Sequence, residues 1–204
     1  MAQTWERLLN SSGGALNLSK CFWSLQYWEW KNGRPILRQT GKNDPALVMY
    51  NGASGKAAMV KRIDNHHAEK MLGVYSNFVG TFGVHAEVLK LKIDGMAARL
   101  ESSKLRKLAT KQYYELYYLP TTRYSLPITS MTAVELRGIQ TKFKCATLNK
   151  LGSPYTYPNR VTFAPKRVFR ANLVDLRIDQ GVQQVKAFID MVGTNQKAGT
   201  TLII

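Results

Sequence analysis

The stretch "GGALNLSKCFWSLQYWEW", residues 13 to 30, places Lys20 between a glycine pair and a run of large aromatics. The glycines permit a tight turn with close backbone approach, and the aromatics favour a strand. By residue type alone Lys20 is a surface lysine. The other residue types that carry chemistry are dispersed. Asp44, Asp64, Asp94, Asp175, Asp179 and Asp190 include no Asp-Asp pair and none ends a clear strand, whereas two-metal phosphoryl transfer needs carboxylates close together. His66 and His67 are adjacent, so they cannot share one helix face. With Asp64 and Glu69 they form either a weak metal set or, more plainly, a solvated turn. "GASGKAAM" at 52–59 lacks the spacing of a phosphate loop and reads as a hairpin turn. Cys21 and Cys145 are far apart, with neither a CxxC nor a His pair nearby. They read as reduced, half-buried thiols. No Ser/His/Asp arrangement is legible, so a small-molecule enzyme is disfavoured.

Charge carries more information. The chain holds 29 basic and 13 acidic residues, a formal balance of +16 over 204 residues with a pI near 10.0. Such an excess repels itself unless an anionic partner offsets it, and nucleic acid is the usual partner of a basic domain. Residues 1–100 carry +6 and residues 101–204 carry +10. Lys104, Arg106, Lys107 and Lys111 lie within about two helical turns, and Arg137, Lys142 and Lys144 follow on a later segment of helical pattern. These are the candidate phosphate contacts. Tyr113, Tyr114, Tyr117 and Tyr118 stand at helical intervals beside Lys111 and Arg123; they serve either base stacking or core packing with wet hydroxyls. A solvated basic surface without a specific ligand is the alternative to nucleic-acid binding.

The elements that must position these residues divide near residue 80. Hydrophobic residues make up 45% of the chain, enough for a core and against wholesale disorder. No window approaches the roughly 18 to 20 apolar residues of a membrane span, and the N-terminus shows no secretory signal, so no membrane partner is expected. Residues 1–12 read as the end of a helix. Residues 22–63 read as short β-hairpins, with Asn32-Gly33 as the strongest turn signal and the aromatics of 22–30 anchored in the core. Residues 69–77 read as one further strand ending in a turn. From 82 the pattern is helical: Val84, Val88, Leu91 or Leu89, Met96 and Leu100 mark a first helix. A second, in "TKQYYELYYLP", ends at Pro120. A third covers 132–152, its face marked by Val134, Leu136, Ile139, Phe143, Ala146 and Leu148 and its stop by Gly152. The last covers about 176–193, marked by Ile178, Val182, Val185, Phe188 and Ile189. The fold class is α+β: short hairpins over 1–80, then a helical bundle over 81–204.

In order and spacing, "GGALNLSKCFW", "LGVYSN", "TTRYSLPITSMTAVELRGIQ", "LNKLG" and "LVDLRIDQGVQQVK" resemble the C-terminal region of reverse transcriptases of non-LTR-type retroelements, covering residues 13 to about 204. The resemblance implies that residues 1–80 are the edge of a palm and residues 81–204 a thumb that grips an RNA or DNA template–primer duplex. It implies that Lys20 is a palm lysine on the triphosphate side and that Leu72, Gly73 and Val74 belong to the strand under the primer end. It implies Mg²⁺ for the intact polymerase, no cofactor in this chain, and an upstream palm and fingers region bearing the Asp-Asp motif, so that this chain is inactive as a polymerase. "VFRANLVDL" departs from the family, which usually has a Gly-rich turn there. A free-standing basic nucleic-acid-binding module is the alternative. Localisation is open between nucleus and cytoplasm.

Overall fold

A computed structural model of the chain describes residues 20–38, 46–50, 57–164 and 171–193, together with positions 4, 8, 11, 12 and 17. The Gly13-Gly14 pair, residues 52–56 of the "GASGKAAM" turn and Phe169 lie outside the described residues. The architecture is mixed: short strand pairs precede a set of helices, as expected for an α+β chain. The chain divides into two compact units. One comprises residues 1–69 and 77–80, the other residues 70–76 and 81–204.

In the first unit, β2 (Tyr27–Lys31) and β3 (Arg34–Arg38) are antiparallel, with Lys31 opposite Arg34. Asn32 and Gly33 between them have φ of 52° and 72°. Positive φ at both central positions gives a turn whose twist matches that of the flanking strands. β4 (Val48–Tyr50) pairs antiparallel with β5 (Ala57–Met59). The remaining pair departs from the hairpin expectation: β1 (Phe22–Trp23) runs parallel to β6 (Lys61–Arg62). Trp23 Nε1 donates to the Val60 carbonyl, and the Arg62 guanidinium lies 5.4 Å from the Trp23 ring centre. Met49, Val60 and Ile63 are buried there. The aromatic anchor is only partial. Phe22 and Trp23 are half-buried, but every residue of β2 is exposed, Trp30 at 74%. A two-stranded ribbon buries little by itself, and the described residues of this unit cover neither face of β2.

Residues 69–76 are a hairpin, not a single strand: β7 (Glu69–Met71) pairs with β8 (Val74–Ser76). Leu72 and Gly73 form its turn with φ of 49° and 89°. Tyr124 holds this turn from the helical unit, its hydroxyl donating to the Leu72 carbonyl and its ring lying flush with Gly73, where a Cβ would stand 3.3 Å from Tyr124 Cε1. Val74 is buried, and the Tyr75 N–H donates to His85 Nδ1 at 3.4 Å.

The helical unit is built on α1 (Gly83–Ser102) packed against α4 (Ala133–Leu151). The buried row of α1 is His85, Ala86, Leu89, Ile93, Met96, Ala97 and Leu100; Val84, Val88 and Leu91 face outward. α4 buries Leu136, Ile139, Phe143, Ala146 and Leu148 as its periodicity predicts, while Val134 is exposed. Its ends follow from local chemistry. Thr132 and Glu135 form a capping box, and Gly152 closes the helix with φ 75°. α2 (Lys107–Tyr113) continues through a π-helical turn, Tyr114–Tyr118, into α3 (Leu119–Arg123). Pro120 therefore does not end the helix. It has no N–H for the carbonyl four residues back, and the wider turn before it absorbs the missing bond. Thr122 Oγ1 donates to the Tyr118 and Leu119 carbonyls. After the short α5 (Asn159–Thr162) comes α6 (Leu176–Gly193). Leu176 and Asp179 of α6 are buried, whereas Ile178, Val182, Val185 and Ile189 are exposed. The apolar periodicity locates this helix, yet that row faces outward.

Gly73→Ala combines a left-handed backbone, which costs an L-residue about 1–2 kcal/mol, with the close Tyr124 ring. It is expected to lower the thermal midpoint by several degrees in a scanning calorimetry comparison with the parent chain. A second expectation concerns His85, whose pKa burial lowers from its ordinary 6.5. As pH falls the unfolded chain takes up this proton first, so the contribution to stability is complete above 6.5 and declines below it. Urea midpoints at pH 7.5 and 5.5 should differ more in the parent chain than in His85→Leu.

Candidate nucleic-acid interface

Two stretches of the helical unit lack carboxylates. Between Glu101 and Glu115 stand Lys104, Arg106, Lys107 and Lys111; between Glu135 and Asp175 stand eight cations, among them Arg137, Lys142, Lys144, Lys150 and Arg160. The fold joins the two stretches at one corner. The Ser103 N–H donates back to the Arg99 and Leu100 carbonyls, and extended backbone at Ser103 and Arg106 turns the chain from α1 into α2. Lys104, Arg106 and Lys107 are exposed on this turn. Lys150, in the last turn of α4, donates from Nζ to the Ser103 carbonyl. Lys107 Nζ lies 3.2 Å from the position a Cβ would take on Gly152, the residue that closes α4. Cations favour a helix C-terminus, so the end of α4 itself supports this gathering. Among the described residues, Lys104, Arg106 and Lys107 make no ion pair with a carboxylate.

The other candidate residues stand in different settings. Lys111 is half-buried one turn along α2. On α4, Arg137 and Lys144 are seven residues apart and share a face, whereas Lys142 lies about 140° round the helix. Lys144 Nζ donates to Asn159 Oδ1 at 3.0 Å. Arg123 is part-exposed and committed to an ion pair. Its Nε and Nη2 donate to Asp179 Oδ2 and Oδ1 at 2.8 and 3.0 Å, and the carboxylate is 5% exposed. That bond raises the Arg123 pKa further above its ordinary value. Leu72, 90% exposed, and Gly73 are turn residues; of the three expected on a strand only Val74 is in one. Lys20 is exposed, its N–H donating to the Asn17 carbonyl at 3.0 Å. It belongs to the first compact unit, while Leu72, Gly73 and Val74 belong to the second.

The histidine pair is a local turn. Asp64 Oδ1 accepts the His66 N–H, and Glu69 accepts from Lys61 Nζ at 3.0 Å with His67 Nε2 at 3.4 Å. The bond from Lys61 lowers the Glu69 pKa. Among the described residues no three His, Cys, Asp or Glu side chains gather as a metal set, and no helix is long and apolar enough to cross a membrane. Sequence reading missed Lys150, although a lysine two residues before a helix-ending glycine is a legible C-terminal signal. It also missed the capping box, written plainly as Thr132-x-x-Glu135.

The setting of Arg123 separates structure from binding. Arg123→Met would strand the buried Asp179 carboxylate and is expected to cost about 2 kcal/mol, lowered from the fully buried case because the guanidinium is part-exposed. A urea titration measures that loss. The salt dependence of nucleic-acid binding by the same variant should match the parent.

No family model, no curated protein and no solved structure matches this chain.

Proposed function

We propose that this chain is a nucleic-acid-binding piece of a reverse transcriptase-like protein, and that its helical unit holds a template–primer duplex by the phosphates without itself carrying the polymerase chemistry. The observation that carries the binding is the corner where Lys104, Arg106 and Lys107 stand exposed beside Lys150, in stretches without carboxylates. Cations so placed neutralise phosphates and release counterions. Their reach is to the backbone, so affinity comes with little base preference. The assignment to a reverse transcriptase is supported by the order of sequence segments from residue 13 onward. The exposed Trp28, Trp30 and Ile36 also favour it, since a palm edge would present apolar surface to a neighbouring region. In this reading Arg123 and Asp179 are structural, and Lys20 is the residue that would stand by a triphosphate if the palm were complete.

Binding of a labelled RNA–DNA duplex, titrated with salt, tests the reading. The logarithm of the affinity should fall with the logarithm of salt concentration at a slope of about −3 to −5, corresponding to several phosphate contacts at about −0.9 each. The combined Lys104→Ala, Arg106→Ala and Lys107→Ala variant should flatten the slope by about two to three units. A slope near zero in the parent, or an unaltered slope in the variant, rejects the interface.

A further inference from the structure

Beside the buried Tyr114 and Tyr118 of the π turn, a groove runs between α1 and the row Tyr113, Tyr117 and Thr121. Its α1 wall is Leu91, Lys92, Gly95, Met96 and Arg99, and its volume is about 310 Å³, within the range of about 300–1,000 Å³ usual for ligand clefts. Three features give it a chemical character. Gly95 leaves the middle of the α1 wall open, since a Cβ there would meet nothing within 4 Å. Lys92 and Arg99 lie seven residues apart on α1, hence on one face and about 10 Å apart along the axis. Among the described residues neither forms an ion pair. Tyr117 closes a column of rings: Phe143 and Tyr113 stack at 6.2 Å, Tyr113 and Tyr117 at 5.2 Å. Tyr117 is 58% exposed, and among the described residues its ring meets no further ring.

We propose that this groove takes an unpaired nucleotide of a single strand, the base stacking on Tyr117 and the flanking phosphates lying along Lys92 and Arg99. The proposal rests on the nucleic-acid reading above but uses other residues and a different substrate. A cleft with one open ring face and cations along one rim suits a base whose own faces are free, and bases inside a duplex are already stacked on each other. The ring column reaching back to Phe143 fixes the platform before any ligand arrives, so little ordering is needed on binding. Stacking is tolerant of base identity, which leaves the groove without strong sequence preference.

The test is fluorescence anisotropy of the full chain with labelled oligothymidylate and, in parallel, with the labelled RNA–DNA duplex. Tyr117→Ala should weaken oligothymidylate binding about tenfold, while Tyr117→Phe, which keeps the ring, should retain it. Gly95→Leu should fill the groove and weaken the single strand similarly. It should not lower the thermal midpoint, because leucine is the better helix former. Duplex affinity should be unchanged in all three. Single-strand binding that is indifferent to both Tyr117→Ala and Gly95→Leu overturns the groove and leaves the phosphate-binding corner standing. Duplex and single-strand affinities that fall together in these variants overturn it as a distinct site. Single-strand binding that depends on Tyr117 and survives the triple corner variant supports the groove, and duplex binding that also survives that variant rejects the corner. Failure of the parent chain to bind either nucleic acid overturns both.

Discussion

The helical unit depends on the Phe143 ring. Phe143 is 1% exposed and stacks on Tyr118 at 4.2 Å with an interplanar angle of 13°. Tyr113 and Tyr114 lie on it at 6.2 and 6.3 Å. Aromatic contacts of this kind add to the apolar area that each ring removes from water. Here they fix the rotation of the α2–π–α3 segment against α4. Consecutive tyrosines diverge as a result. Tyr114 and Tyr118 turn inward, and Tyr113 and Tyr117 line the outer groove. The π turn that allows this precedes Pro120, whose missing N–H makes a regular α-helical ladder impossible at that point.

Once that cluster is set, polar bonds place the rest. Tyr114 is buried, and burial pushes its pKa up to about 12. The neutral phenol oxygen accepts the Val174 N–H at 2.7 Å. Gln140, on the buried side of α4, accepts the Leu176 N–H at 3.0 Å. Asp175 accepts the Arg177 side chain and its N–H, which holds its carboxyl below the usual range. Arg123 then meets Asp179, and Gln180 and Gln184 donate to the Met131 and Thr129 carbonyls. α6 is thus seated by hydrogen bonds along its inner side, while the outward row of Ile178, Val182, Val185 and Ile189 takes no part in seating it. Apart from Gln180 Oε1, which is buried without a partner among the described residues, the polar groups named in this seam are bonded, and together they favour one docking geometry.

The same economy governs the cations. Desolvating a charge without a partner is costly, so the buried Asp179 is met by Arg123, and Lys150 reaches across the corner to a carbonyl. Lys104, Arg106 and Lys107 are left outside, in a stretch where the sequence has no acids to answer them. A basic corner and an aromatic groove with a basic rim therefore come from one set of packing decisions.

The sequence by itself determined the helices at 83–102, 133–151 and 176–193, the Asn32-Gly33 turn and the glycine stop at 152, because periodicity, caps and left-handed turn residues act within a few positions of chain. It also fixed the basic balance, which is a sum over residues. What it left open was decided between distant segments. "EKMLGVYS" became a hairpin held by Tyr124, some fifty residues away in sequence. β1 found β6 in parallel across the strands between them. Of four tyrosines in nearly equivalent local contexts, two were buried by Phe143 and two turned toward the outer groove. Arg123, expected beside the tyrosines at a nucleic-acid surface, was drawn into an ion pair with a carboxylate fifty-six residues away. Local patterning specifies which face of an element is apolar, but which neighbour covers that face, and which charged group is taken inside with it, is settled only when the elements pack.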